Sequence, residues 1–289
     1  MKSITVISGK GGTGKTILTA SLAALAKSKI MADCDVDAAD LHLILKPEIK
    51  RKEVFEGGKA AEIDPEKCVK CGECTAVCRY DAISDDFVVD PINCEGCALC
   101  FNICPVQAVE MKPSTLGRWY ISETRHGPMV HAKLGIAEEN SGKLVALVRQ
   151  QARLIAERDD LDYIIVDGPP GIGCPVISSI TGTDLALIVT EPTISGLHDL
   201  QRVVGLASHF GIKSLVCVNK YDLNIQFTNQ IETYCKSVGA EFLGRIPFDT
   251  IVTEAMVNGK AVVEYSSDGQ VSEEIKSIWN QVDSIAQRI

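Results

Sequence analysis

Short, almost wholly apolar runs punctuate this chain at Ser3–Ser8, Lys29–Asp35, Asp162–Gly168, Asp184–Glu191, Ser214–Lys220 and Glu241–Pro247. They are too short for helices and rich in β-branched residues, which predicts strands buried on both faces. Between them apolar residues recur at helical spacing, over Ile17–Ser28, Leu144–Asp160, about Ser195–Phe210 and Thr228–Val238. Strand and helix in alternation predict a doubly wound, mostly parallel α/β sheet. Arg118–Leu134 lacks the helical period and predicts strands joined by a turn.

The alternation stops between Ala61 and Lys112, where the chain repeats itself with an offset of 26 (Cys68 to Cys94). Cys68, Cys71, Cys74 and Cys78 recur as Cys94, Cys97, Cys100 and Cys104. Asp64-Pro65 recurs as Asp90-Pro91, and Ala82-Ile83 as Ala108-Val109. A duplication this regular predicts a small structural unit inserted into the sheet domain. The expected division is 1–60 and 113–289 for the sheet domain, with 61–112 as the insert.

Composition narrows the chemistry. A net charge of -9 disfavours non-specific binding to nucleic acid, which depends on basic contacts to phosphate. No apolar run reaches the roughly 18 residues of a membrane helix. The N-terminus enters a strand and a glycine-rich loop at once, so a cytoplasmic chain is expected rather than a cleaved leader. Twelve cysteines are many for a reducing compartment, and eight of them lie between Cys68 and Cys104. Such a cluster points to metal or redox chemistry rather than disulfides. Cys34, Cys217 and Cys235 stand alone and are expected to be small buried residues.

"GKGGTGKT", Gly9–Thr16, fits G-x-x-x-x-G-K-[ST] between a predicted strand and a predicted helix. Gly9, Gly11, Gly12, Thr13 and Gly14 would let backbone N–H groups close on phosphate oxygens. Lys15, Thr16 and Ile17 would open the helix whose N-terminus favours that charge. Lys15 would reach the β- and γ-phosphates, and the Thr16 hydroxyl would bind Mg²⁺.

Both halves of the repeat read C-x₂-C-x₂-C-x₃-C, the run of bacterial two-cluster ferredoxins. Cys68, Cys71 and Cys74 with Cys104 would hold one [4Fe–4S] cluster. Cys94, Cys97 and Cys100 with Cys78 would hold the second. Zinc in Cys₄ sites is the alternative, but two triplets each with a distant fourth cysteine suit cubanes better than paired zinc ligands. The first half ends Cys78-Arg79 where the second ends Cys104-Pro105. That difference places a cation near one cluster and bears on its potential.

With Lys10 as a second lysine near the start of the loop, "KGGTGKT" resembles the deviant Walker A motif of the MinD/ParA/Mrp ATPases. Together with the cysteine run, the chain resembles MinD-superfamily ATPases carrying an inserted ferredoxin domain. The resemblance implies an ATP-driven homodimer in which Lys10 reaches the partner's phosphates. Met31–Leu45 is similar to switch I, which implies that Asp35 orients the attacking water while Asp33 lies nearer the metal. Ile164–Gly173 is similar to Walker B and switch II, with Asp167 holding Mg²⁺ through water. Asn219 and Lys220 fall at the base-contacting position, and Ile246–Asp249, with Pro247, matches the loop over the base. Asn219-Lys220-Tyr221-Asp222 also fits the NKxD pattern by which GTPases read guanine, so GTP stays open behind ATP.

Cys174 stands at the same offset from Asp167 as a bridging-cluster cysteine of the nitrogenase iron protein. A shared or redox-sensitive pair across a two-fold is one reading, and a buried cysteine packed against the switch is the other. The five histidines, His42, His126, His131, His198 and His209, show no paired metal spacing and are expected to be solvated or structurally satisfied. His131 is expected to follow the predicted strand pair, near the nucleotide.

Three functions follow. One is an ATPase that couples nucleotide state to electron transfer with an unidentified redox partner. Another is an iron–sulfur cluster carrier for a client protein, as in the Mrp/Nbp relatives, although their late C-x-x-C pair has no counterpart after Cys235. The third is a positioning ATPase with structural or sensory clusters. Against membrane attachment, Ser272–Ile289 sets Glu273, Glu274 and Asp283 against Lys276 and Arg288. The first reading leads, because the insert follows switch I directly, where phosphate-driven movement acts.

Overall fold

The structure, a computed structural model, describes residues 1–135 and 141–289. Its strands are β1 (Lys2–Ser8), β2 (Lys29–Asp33), β3 (Glu48–Ile63), β4 (Val109–Thr124), β5 (Gly127–Leu134), β6 (Tyr163–Pro170), β7 (Leu185–Thr190), β8 (Lys213–Asn219) and β9 (Glu241–Ile246). They pair in the order β3-β4-β5-β2-β6-β1-β7-β8-β9. From β5 to β9 in that order, every pairing is parallel. All six predicted apolar runs lie in this parallel part, and the fold is the expected α/β class.

The runs are apolar throughout because helices cover both faces. Ile4, Met31, Ile165, Leu187 and Leu215 pack on one face, and Ile7, Ile188, Val216 and Val203 on the other. Local chemistry sets the element ends. The first helix, Lys15–Leu25, begins two residues earlier than its apolar period, because Gly14 holds a left-handed turn (φ 94°) just before it. The second strand stops at Asp33 and not Asp35, since the Asp35 N–H donates to Asp33 Oδ1 at 3.2 Å and turns the chain. Thr193 and Asn224 cap the helices Ile194–His209 and Ile225–Val238 by accepting from Gly196 and Phe227 N–H.

Arg118–Leu134 contains the expected turn, at Arg125–His126, between β4 and β5. β3 carries no apolar strand pattern at its start, since Glu48–Lys52 is exposed and mostly charged. At a sheet edge, backbone pairing rather than side-chain pattern holds a strand. The C-terminal helix Gln270–Ala286 buries Val271, Ile275, Ile278 and Val282 in the first core face. Among the described residues, no helix is long and apolar enough to cross a membrane.

The chain forms two compact units. One comprises Met1–Lys52, Trp119–Ala132 and Ser141–Ile289, and the other Glu53–Arg118 and Lys133–Asn140. The second unit repeats its backbone as the sequence repeats its cysteines. Helices Glu73–Val77 and Leu99–Ile103 occupy equivalent positions. Positive φ recurs at Lys70 and Gly96 (52° and 63°), at Gly72 and Ala98 (83° and 61°), and at Asp81 and Gln107 (50° and 51°). Gly96 is the one position of these with no room for a side chain, since a Cβ there would lie 2.0 Å from Lys59 O.

Candidate functional sites

The loop Gly9–Gly14 leaves β1 and enters the helix Lys15–Leu25. Gly9 packs so closely on the helix Ile194–His209 that a Cβ would lie 2.3 Å from Asp199 Cβ. Gly11 and Gly12 are exposed, Thr13 and Lys15 are buried, and Ile17 packs against the core. Lys15 Nζ lies 3.3 Å from Asp35 Oδ2. Asp33 and Asp167 are register partners on neighbouring strands β2 and β6, both fully buried. Asp167 Oδ1 accepts from Thr19 Oγ1 at 2.9 Å.

This arrangement leaves charge uncompensated. Burial, with repulsion from Asp167 and Asp35, pushes the Asp33 carboxyl well above the usual carboxylate range. Burial also raises Asp35 and Asp167, with Lys15 opposing in both cases. Among the described residues, the buried oxygens without a hydrogen-bond partner are Thr13 Oγ1, Asp33 Oδ2 and Asp167 Oδ2. Three carboxylates against one lysine, with two orphaned carboxylate oxygens, fit a hard divalent cation beside phosphate.

Asn219 Nδ2 donates to Thr13 O at 2.8 Å and would meet a Gly14 Cβ at 2.3 Å. Lys220 Nζ donates to Gly12 O at 3.3 Å. Both predicted base-site residues therefore brace the phosphate loop. Asp222 Oδ1 accepts from Phe248 N–H at 2.7 Å and so ties down the loop that contains Pro247. Lys10 is turned onto its own chain, 2.5 Å from Glu191 Oε1 and 3.1 Å from Ser195 Oγ.

In the second unit, two apolar cavities separate the eight cysteines into the crossed sets. Cys68, Cys71, Cys74 and Cys104 line one, with Ile63, Phe87 and Val109. Cys78, Cys94, Cys97 and Cys100 line the other, with Ala61, Ile83 and Met111. Backbone N–H groups point at sulfur: Ala82 to Cys78 and Ala61 to Cys94 at 3.4 Å, and Ala108 to Cys104 at 3.2 Å. The Ala82 and Ala108 bonds are the same bond in the two repeats. Burial resists ionisation of Cys104, but the N–H groups of Ala108, Val106, Val109 and Gln107 outweigh it and hold the thiol below its ordinary value. Burial raises Cys74 and Cys100. Among the described residues, no three His, Cys, Asp or Glu side chains gather tightly enough for a single metal ion.

A family model described as the CobQ/CobB/MinD/ParA nucleotide binding domain matches residues 4–262. The chain belongs to this family. A similar relative is an uncharacterized protein from Methanocaldococcus jannaschii, 35% identical over 286 residues, which are 96% of this chain and 95% of that one. An iron-sulfur cluster carrier protein from the same organism is 31% identical over 136 residues, 43% of this chain and 46% of its own. In fold, the chain resembles the septum site-determining protein MinD of Pyrococcus horikoshii complexed with Mg-ADP. That match has a TM-score of 0.61 at 19% identity and covers 99% of this chain and 97% of that one.

Two residues that touch the site carried no signal in the sequence. Glu191 is an isolated carboxylate after a strand, and Thr19 an ordinary helix residue, until folding sets them against Lys10 and Asp167. His131 does not follow the strand pair but lies within β5, opposite Asp33 of β2 in register. Its ring bonds to Ser122 Oγ at 2.9 Å and stacks on Tyr120 at 4.9 Å, and burial lowers its pKa to about 4. It is a neutral, structurally satisfied histidine. His126 pairs with Glu264 at 2.9 Å, His198 lies 3.6 Å from Asp199, and His209 packs on Phe210.

Cys34, Cys217 and Cys235 are buried as expected. Cys174 corrects the packing expectation, because it is exposed. It heads the helix Cys174–Ile180, whose Val176 and Ile180 take the buried side.

Proposed function

We propose that this MinD/ParA-family chain is an ATPase that binds MgATP, closes into a homodimer, and couples hydrolysis to electron transfer with a redox partner in a reducing compartment. Two [4Fe–4S] clusters in an inserted ferredoxin domain, 61–112, would serve that transfer. The observation that carries the reading is the sorting of eight cysteines into two four-thiol cavities. Their crossed membership is that of a two-cluster ferredoxin. Four thiols spread around an apolar cavity suit a group larger than one ion, whereas zinc draws its ligands to about 2.3 Å from a single centre. Bound there, each cubane supplies a one-electron couple whose potential follows local charge and N–H···S bonds.

In the first unit, Lys15 and the loop N–H groups bind the phosphates, and Thr16, Asp33 and Asp167 hold the Mg²⁺ that shields them. Asp35 takes the attacking water's orientation, and Lys10 serves the partner's nucleotide. Asn219, Lys220 and Pro247 form the base end. ATP is taken ahead of GTP on the Lys10-containing glycine-rich motif. The deciding experiment is reductive titration of anaerobically prepared protein with ADP and with ATP. A nucleotide-dependent shift of cluster potential is expected, and potentials indifferent to nucleotide would refute the coupling.

Cluster delivery is the second reading, favoured by the similarity to the iron-sulfur cluster carrier protein over 43% of this chain. Transfer of cluster to an apo-ferredoxin at a rate that rises with ATP would establish it instead.

A further inference from the structure

The strands that lead the chain into and out of the cysteine-rich unit both meet one short helix. Leu41–Leu45 closes the stretch that resembles switch I, and β3 starts at Glu48, just beyond it. β4 brings the chain back and ends in the turn at Arg125. Arg125 Nη1 donates to Ile44 O at 3.0 Å and Leu45 O at 3.1 Å, the last carbonyls of that helix. Helix ends leave such acceptors open, so the guanidinium acts as their cap. The other side of the fork is fixed. Nε and Nη2 bond to Glu264 at 2.8 and 2.6 Å, and Nη2 also reaches Gly259 O at 3.4 Å. Burial would raise the Glu264 carboxyl, yet Arg125 and the Ala261 N–H hold it at about 2, so it stays ionised.

A second tie joins the same helix to β4. His42 stacks on His131 at 6.4 Å, and His131 is held by Tyr120 and Ser122 of β4. The switch helix is thus attached to the returning strand through a ring stack and through its own terminal carbonyls.

We infer that Arg125 is a positioning residue that transmits displacement of the Leu41–Leu45 helix to β4, and so carries nucleotide state toward the cysteine-rich unit. This rests on the coupling proposed above. Interface helices in switching proteins shift by about 1–2 Å, enough to break a 3.0 Å bond unless the donor follows. In the structure Arg125 spans both sides at once, the helix carbonyls on one and Glu264 on the other. A lysine has no planar fork to span both sides at once.

The test is hydrogen–deuterium exchange on the cluster-loaded full chain, with Mg²⁺ plus ADP or a non-hydrolysable ATP analogue. In the wild type the analogue should slow exchange both in Leu41–Leu45 and in β4. In Arg125→Gln the helix response should remain and the β4 response should be lost, with analogue binding unchanged. Arg125→Lys keeps the charge and the ion pair and should show the same loss, which separates lost transmission from lost folding. A β4 response of wild-type size in both variants would overturn the role of Arg125 alone. A wild type with no β4 response would overturn the coupling itself along with it.

Discussion

Lys10 Nζ lies 2.5 Å from Glu191 Oε1, and Glu191 Oε2 lies 3.6 Å from Lys220 Nζ. One carboxylate at the end of β7 therefore holds both the lysine proposed to act on the partner's nucleotide and a lysine that braces the phosphate loop. Before dimerisation, Lys10 has a counter-charge at home.

Releasing that lysine should favour the dimer. A part-exposed ion pair is worth up to about 1 kcal/mol, so Glu191→Gln should tighten ATP-dependent dimerisation by roughly fivefold. Lys10→Ala should leave nucleotide binding largely intact while dimerisation and hydrolysis fall, hydrolysis by roughly 10²-fold or more. Sedimentation velocity with ATP checks both. An unchanged ATP-bound dimer in Lys10→Ala would remove the cross-interface role.

Lys15 and Asp35, 3.3 Å apart, should fail differently. Lys15→Ala loses the phosphate cation and with it the nucleotide. Asp35→Ala keeps the nucleotide but leaves the attacking water unoriented, so ATP-bound protein accumulates. Filter binding beside a phosphate-release assay separates the two, and normal turnover by Asp35→Ala would contradict its role.

The buried carboxylates make nucleotide-free stability depend on pH. Asp33, Asp35 and Asp167 all have raised folded-state pKa values. A raised acid binds its proton more tightly in the folded chain, so its contribution is full below the unfolded value of about 4 and is lost as pH rises through the folded value. Near neutral pH, without Mg²⁺ or nucleotide, Asp33→Asn should therefore stabilise the chain by about 1–3 kcal/mol. The gain should shrink on acidification and reverse when MgATP is present. Thermal melts across pH, with and without MgATP, measure this, and a variant less stable than wild type in nucleotide-free neutral buffer would contradict it.

Anaerobic preparation should yield about eight iron and eight sulfide per chain, following two cubanes. Cys104→Ser should lose the cluster of Cys68, Cys71 and Cys74 while sparing that of Cys94, Cys97 and Cys100, halving the iron. Stoichiometric zinc without labile sulfide would refute the cubanes, and loss of both clusters in Cys104→Ser would refute independent cavities.

What is local and contiguous was legible in the order of the amino acids. Apolar runs marked the parallel strands, because a strand buried on both faces can carry little else. Gly9–Thr16 spelled out a phosphate loop, because one backbone turn builds it. The repeated cysteine spacing announced two equivalent halves, and the positive φ angles at Lys70 and Gly96 repeat with them. Which distant groups meet depended on folding. Glu191 reaches Lys10, Thr19 reaches Asp167, and Arg125 caps a helix some 80 residues away. No local pattern encodes those pairs, since each depends on where strands end relative to one another. Burial of Cys174 was misjudged for the same reason: a helix has an inner and an outer face, and packing alone selects which residue takes which.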